Sequence, residues 1–430
     1  MWISFLLFSI LLFLSAEAEQ LKLNLSAQSA ILINADTGAI LFEKDKHEKQ
    51  FPASTTKIAT AWYFLEHQKD KLDELTTVPA DCVSVVHASV RQAAGSTEPS
   101  YRLEHDGTKM GIKRGETVSL RDLLYGLMLP SGNDAANVIA HYVSGSIPKF
   151  VENLNLFLRE KGIHNTHFTN PHGLPDPEHY TTAYDLALMA QQSMKDPLFR
   201  EIVRSVRYTR PRSNLQEEHV LLQHNRILKP GRYYYPKAVG IKIGYTSKAG
   251  ATFVGAAEHE GRTLIAVLLK TPSFDKCYSD AIALFEAAFS QSKVIRTLFA
   301  KGYDQFSIEM KGAKQRLGAV LSEDLKIEYY PAEEPEFKAF VKWNEDLKLP
   351  IQKGALVGEL QLLTPEQKVL KSAPIYAIAD VEKTFFNELG ALFCHPFFKG
   401  TVILLMIALS LFFYSYRKQL KNRFSTPPTS

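Results

Sequence analysis

Apolar and polar positions alternate, turn and alternate again near the start of the chain. Ala30-Ile31-Leu32-Ile33-Asn34 predicts a strand, Asp36-Thr37-Gly38 a hairpin turn, and Ala39-Ile40-Leu41-Phe42 the return strand. After Pro52 the period lengthens. Ile58, Trp62, Phe64 and Leu65 approximate a 3.6-residue repeat and predict a helix to about Gln68. Further helices are predicted from Ser119, an N-cap with Asp122 close behind, after Ser131 to about Tyr142, and over 181–195 and 276–291. Residues 239–246 and 263–270 predict strands, and the unbroken apolar run Leu264 to Leu269 predicts a buried one. Strands at both ends of 22–294 with helices between them describe a sheet closed by the two ends of the segment and flanked by helices. That is an α/β (α+β layered) domain.

The pattern changes near residue 296. Ser307 to Met310, Leu325 to Tyr330, Phe337 to Trp343 and Val357 to Leu362 alternate as half-exposed strands do, and long amphipathic helices are scarce. This predicts a small β-rich domain over 296–385 after a first domain over 19–295, followed by a linker over 386–399. The two ends differ from both. Residues 2–14 are apolar and uncharged and precede Ala16-Glu17-Ala18, which predicts a signal peptide over 1–18. An uncleaved anchor helix is the alternative. Residues 400–416 carry no charge and are followed by Arg417, Lys418, Lys421 and Arg423. That pattern predicts a transmembrane helix with its basic tail, 417–430, in the cytoplasm. A buried core helix is the alternative. The expected location is therefore the cell inner membrane, single-pass, with the folded domains on the periplasmic or extracytoplasmic side.

Composition narrows the function. The 430 residues are 45% apolar and 22% charged, as in packed globular proteins, and a net charge of +4 over that length argues against a nucleic-acid binder. Three cysteines, Cys82, Cys277 and Cys394, make no disulfide framework; at most Cys82 and Cys277 could pair, and the sequence leaves that open. Neither Cys82 nor Cys277 sits beside a histidine in a way that suggests a thiol nucleophile or a metal site.

Three short segments carry chemistry. In Phe51-Pro52-Ala53-Ser54-Thr55-Thr56-Lys57, residues three apart on a helix share a face, so Lys57 can act as base for the Ser54 hydroxyl if burial or nearby cations lower its pKa. At a helix N-terminus the N–H of Ser54 can also meet a developing oxyanion. In Pro130-Ser131-Gly132-Asn133-Asp134, Ser131 can relay a proton and Asn133 can hold a carbonyl and a lysine, although an N-cap would use the same residue types. In Gly240-Ile241-Lys242-Ile243-Gly244-Tyr245-Thr246, a strand projects Lys242, Gly244 and Thr246 to one side. There Gly244 admits a substrate backbone and Lys242 offers a positive charge. A polar stripe on an edge strand would look the same. Each segment alone is weak evidence; their occurrence together, in this order, is not.

The set resembles the penicillin-binding proteins and class A β-lactamases, whose motifs are Ser-x-x-Lys, Ser-Asp-Asn and Lys-Thr-Gly. It is most similar to the low-molecular-mass penicillin-binding proteins of the D-alanyl-D-alanine carboxypeptidase family. The likeness extends to Asn165 to Phe168, His172-Gly173-Leu174, His224-Asn225-Arg226, Gly250, and Leu349 to Gly354 in the β domain. The resemblance implies a β-lactamase-like fold without cofactor or metal. It implies Ser54 as nucleophile, Lys57 as general base, Ser131 as proton relay and Asn133 as orienting group. The N–H groups of Ser54 and Tyr245 would form the oxyanion hole, and Lys242, Thr246 and Arg226 would hold the substrate carboxylate, with Gly244 beside it. The implied partners are the peptidoglycan stem peptide, β-lactam inhibitors and, through 400–416, the membrane. Ile243 departs from the pattern, because a hydroxyl residue is expected after Lys242. A β-lactamase, a crosslink endopeptidase and a non-catalytic penicillin-binding sensor are the alternatives. A class A β-lactamase needs a glutamate on the loop after the second motif, and 161–177 contain none, although Glu178 follows.

Overall fold

The computed structural model describes residues 12–13, 19–87, 89–90, 97–384 and 396–423. The chain divides into two compact units, one built from 17–293 with 329–334, the other from 294–328 and 335–430 with 1–16. The expected signal peptide, apart from Leu12–Phe13, and Cys394 lie outside the described residues.

The first unit contains, in chain order, β1 (Ser29–Asn34), β2 (Ile40–Lys44), α1 (Lys57–Gln68), α2 (Leu120–Met128), α3 (Asn133–Ser144), α4 (Ile147–Glu160), α5 (Ala183–Ser193), α6 (Pro197–Arg204), β3 (Ala238–Thr246), β4 (Gly250–His259), β5 (Arg262–Thr271) and α7 (Phe274–Phe289). Five strands form one antiparallel sheet in the order β3-β4-β5-β1-β2. The N-terminal hairpin thus closes onto the C-terminal strands, as the sequence pattern predicts for β3 and β5, with Leu264 opposite Asn34 and Leu269 opposite Ser29; β4 between them is a strand the sequence pattern does not predict.

Period-2 geometry explains why β5 is apolar throughout. Ile265, Val267 and Leu269 enter a core with α1, α2, α3 and α5, while Leu264, Ala266 and Leu268 enter a second core against α7. On β1, Ile31 and Ile33 join the first core, and Ala30 and Leu32 the second. Burying a leucine or isoleucine side chain stabilises by roughly 1.5–3 kcal/mol, so these two strands fix the sheet firmly. At the start of α2, Ser119 Oγ accepts from Asp122 N while the Asp122 carboxylate accepts from Ser119 N, a reciprocal cap.

One expectation needs correction. Ser54 does not lie on an α-helix: Ala53–Thr56 is a 3₁₀ turn and α1 begins at Lys57. The helix expected after Ser131 is present and begins at Asn133, with Gly132 as its N-cap. The pairing of Cys82 with Cys277, which the sequence leaves open, is not formed: both are free and buried in different cores.

The second unit is β-rich. It contains β6 (Phe306–Ile308), β7 (Leu317–Leu321), β8 (Lys338–Trp343), β9 (Leu356–Leu363) and β10 (Val369–Ala377). These pair in the order β8-β9-β10-β7-β6, with Leu12–Phe13 at the β8 edge. Val294–Phe299 pairs separately with Leu325–Tyr329. A helix, α8 (Pro396–Arg423), follows. Its side chains are described over 404–417, and among the described residues no helix is long and apolar enough to cross a membrane.

Candidate active site

The edge strand β3, the 53–56 turn and the loop before α3 converge on a cleft of about 910 Å³. Ser54, Ser131, Asn133, Arg226, Gly244, Tyr245 and Thr246 line it, together with Ile243 and Gly173. Lys57 and Lys242 are buried. Residues from three distant stretches of sequence therefore meet at one place.

The nucleophile turn is held in an uncommon shape. Ala53 has a φ of 50° and donates no side chain that would favour it. Thr56 Oγ1 donates to Ala53 O at 2.9 Å, and Thr252 Oγ1 donates to Pro52 O at 3.0 Å. Two glycines permit the close packing around it. A Cβ on Gly244 would stand 2.6 Å from Ser54 N, and one on Gly173, whose φ is +99°, would stand 1.8 Å from Ala53 O.

Lys57 is the centre of the polar network. Its Nζ lies 2.9 Å from Ser54 Oγ, 2.7 Å from Asn133 Oδ1 and 2.8 Å from the carbonyl of His172. Burial, then the Lys242 cation, depresses its pKa well below the ordinary lysine value, against a smaller opposing pull from Asp134. A neutral amine has two N–H donors and one lone pair. The two donors suit Asn133 Oδ1 and His172 O, which leaves the lone pair facing the Ser54 hydroxyl. That is the protonation state a base needs.

Ser131 has a φ of 65°, and its buried Oγ has no hydrogen-bond partner among the described residues. A strained backbone carrying an unpaired buried hydroxyl in a cleft marks a group prepared for a ligand or a proton. The backbone around it is fastened by Thr108, whose Oγ1 donates to Ser131 O at 2.7 Å and whose O accepts from Asn133 N at 2.9 Å. Asp134 fastens the same loop from behind by accepting from the N–H groups of Met110, Gly111 and Ile112. Burial pushes the Asp134 carboxyl pKa up, and those N–H groups oppose the rise.

On β3, Lys242 Nζ donates to Ile243 O at 3.0 Å, and burial brings its pKa down to about 7. Tyr245 is exposed, and Arg226 and His224 also line the cleft. Burial and the neighbouring Lys242 and Lys229 cations lower the His224 pKa. Arg226 N donates to Tyr278 Oη at 3.2 Å, which fixes the backbone from which its guanidinium projects. Glu178 is exposed and does not line the cleft. The contributions of His172 O, Thr108 and Asp134 were not predicted from sequence. A backbone acceptor and loop anchors carry no residue signature beyond a polar, glycine-containing stretch at 105–111.

A serine bonded to a buried lysine, with a second serine and an asparagine opposite an edge strand that carries a second lysine, defines a serine acyl-transfer site of the penicillin-binding type. The sequence agrees. Residues 15–273 match the family described as D-alanyl-D-alanine carboxypeptidase, and 296–383 match the C-terminal domain of penicillin-binding protein 5. The chain belongs to the D-alanyl-D-alanine carboxypeptidase family. It is 29% identical to the D-alanyl-D-alanine carboxypeptidase DacF of Bacillus subtilis over 84% of this chain and 87% of that one. It is 28% identical to DacA of Haemophilus influenzae over 85% and 88%. Among solved structures, the D-alanyl-D-alanine carboxypeptidase of Mycobacterium tuberculosis superposes with a TM-score of 0.52 at 28% identity, covering 65% of this chain and 97% of that one. Penicillin-binding protein 5 of Haemophilus influenzae, at 24% identity, shares the fold with a TM-score of 0.58 over 85% and 100%.

Proposed function

We propose that this chain removes the terminal D-alanine from peptidoglycan pentapeptides through an acyl-enzyme on Ser54. The observation that carries the reading is Lys57 Nζ, buried and 2.9 Å from Ser54 Oγ. Lys57 takes the hydroxyl proton as Oγ attacks the penultimate D-Ala carbonyl carbon. The oxyanion is held by the N–H groups of Ser54 and Tyr245. The C–N bond breaks, and Ser131 passes the proton to the leaving amine of D-alanine. Water then attacks the ester, and Lys57 takes its proton and returns one to Ser54 Oγ. Asn133 orients Lys57 and the substrate amide, and Gly244 lets the peptide approach β3. Lys242, Thr246 and Arg226 hold the terminal carboxylate, which the Ile243 side chain cannot bond.

A β-lactam offers the same acyl carbon. Ser54 opens its ring by breaking the C–N bond and keeps the acyl group as a slowly hydrolysed ester. A fluorescent penicillin should therefore label the wild type and not Ser54→Ala. Rapid turnover of a chromogenic cephalosporin would instead indicate a β-lactamase, against which the exposed position of Glu178 argues.

The reading extends to location. The uncharged run 400–416, the basic residues that follow it and the exposed Leu404, Leu405, Ile407, Phe412 and Phe413 on α8 support a C-terminal membrane anchor. A signal peptide over 1–18 would place the cleft on the extracytoplasmic side, where peptidoglycan is. Carbonate extraction of cells expressing the chain, with and without residues 396–430, tests this: the full chain should stay with the membrane and the truncated one should not.

A further inference from the structure

The segment 166–182 grips the nucleophile turn and the start of α1 by three side-chain hydrogen bonds. Thr60 Oγ1 donates to Pro171 O at 2.6 Å, Lys57 Nζ to His172 O at 2.8 Å, and the third joins His179 Nε2 and Thr56 Oγ1 at 2.9 Å. The first two use backbone acceptors. The third uses a fully buried histidine that the mechanism above does not employ.

The neighbours of His179 settle its tautomer. Thr169 N donates to Nδ1 at 3.0 Å, so Nδ1 is an acceptor and the proton is on Nε2. Nε2 therefore donates to Thr56 Oγ1, and the Thr56 hydroxyl donates onward to Ala53 O at 2.9 Å. The ring stacks on Phe168 with centroids 4.9 Å apart, which fixes its plane. Burial lowers the imidazole pKa to about 3, so the ring stays neutral and these roles hold near neutral pH. The chain of bonds ends on the carbonyl of Ala53, the residue held at a φ of 50° immediately before the nucleophile. Such a conformation persists only where its surroundings enforce it.

We propose that His179 is a positioning residue that holds Ser54 in its reactive turn through the hydroxyl of Thr56. The proposal rests on Ser54 being the acylated group. A glutamine at 179 can set an amide N–H near the Nε2 position and keep the bond to Thr56. An asparagine is too short for that but can still accept from Thr169 N.

The test compares His179→Asn, His179→Gln, Thr56→Val and Thr56→Ser for Ser54 acylation and D-alanine release. His179→Asn and Thr56→Val should each lower kcat about 10²-fold with little change in KM, because the nucleophile is displaced and the binding strand is not. His179→Gln and Thr56→Ser should retain most of the wild-type rate. The double variant His179→Asn/Thr56→Val should be no slower than either single one. Wild-type rates in His179→Asn and Thr56→Val would overturn the proposal, and so would a Thr56→Ser variant as slow as Thr56→Val. If a variant at 179 fails to fold, the two Thr56 variants decide alone. Peptide mapping of penicillin-labelled wild type separates the two readings: label on another residue overturns the functional reading, whereas label on Ser54 at unchanged rates overturns the role of His179 alone.

Discussion

Replacing Lys242 by methionine should make the protein more stable and less active. Lys242 is fully buried, and its one described bond is to Ile243 O. Burial lowers its pKa from 10.5 to about 7. At about 1.4 kcal/mol per pH unit, that shift costs the folded state roughly 4 kcal/mol at pH 7, where the unfolded chain keeps its lysine protonated. Methionine fills a similar volume without a charge, and the lost bond to Ile243 O costs about 1 kcal/mol. The expected net gain is roughly 3 kcal/mol. The sign of the pH dependence follows from the depressed folded-state pKa. Between pH 7 and 10.5 the unfolded chain binds more protons, so the wild type gains stability as pH rises through that window and shows no further dependence from this residue below it. Urea unfolding of both chains at pH 7.5 and 9.5 measures the effect. The advantage of the variant should shrink by about 2–3 kcal/mol at the higher pH. Penicillin acylation should fall in the variant at both pH values. A variant less stable than wild type at pH 7.5, or an advantage independent of pH, would show that burying the Lys242 ammonium does not cost the fold stability.

Other consequences are equally direct. Acylation by the wild type should rise with pH through an apparent pKa well below that of a free lysine, because Lys57 must be neutral to accept the Ser54 proton; a pH–rate profile that rises only near the free lysine value would count against Lys57 as base. Ser131→Ala removes an unpaired buried hydroxyl, so thermal melting should shift little while turnover falls about 10²-fold or more. Gly173→Ala places a Cβ 1.8 Å from Ala53 O at a positive φ, and should destabilise the nucleophile turn by several kcal/mol and abolish labelling. Ile243→Thr should change peptide turnover less than about tenfold, about 1.4 kcal/mol, if Thr246 and Arg226 suffice for the carboxylate; a much larger gain would show that they do not.

How much of this was legible beforehand depends on whether the signal was local. β1 and β5 were legible because their apolar positions are contiguous and both faces are buried. The start of α2 was legible because Ser119 and Asp122 carry their capping bonds within one turn. The motif residues were legible as a set, since Ser54, Ser131 and Lys242 recur with recognisable neighbours. The 3₁₀ turn at Ser54 was not, because its shape is imposed by Gly173, Thr56 and Thr252 from elsewhere in the fold. Strands β7 and β10 were missed for another reason. The first alternates in burial, but its half-buried positions are Gly318 and Val320, and Val369 to Ser372 begin the second exposed, so neither shows apolar–polar alternation in sequence.

The central claim is that the Ser54–Lys57 pair acts on D-alanyl-D-alanine. Mass spectrometry of the products from a pentapeptide ending in D-Ala-D-Ala tests it most directly. Wild type should yield a tetrapeptide and one free D-alanine per turnover, and Ser54→Ala should form neither. An intact pentapeptide after prolonged incubation with wild type, or equal release by Ser54→Ala, would contradict it.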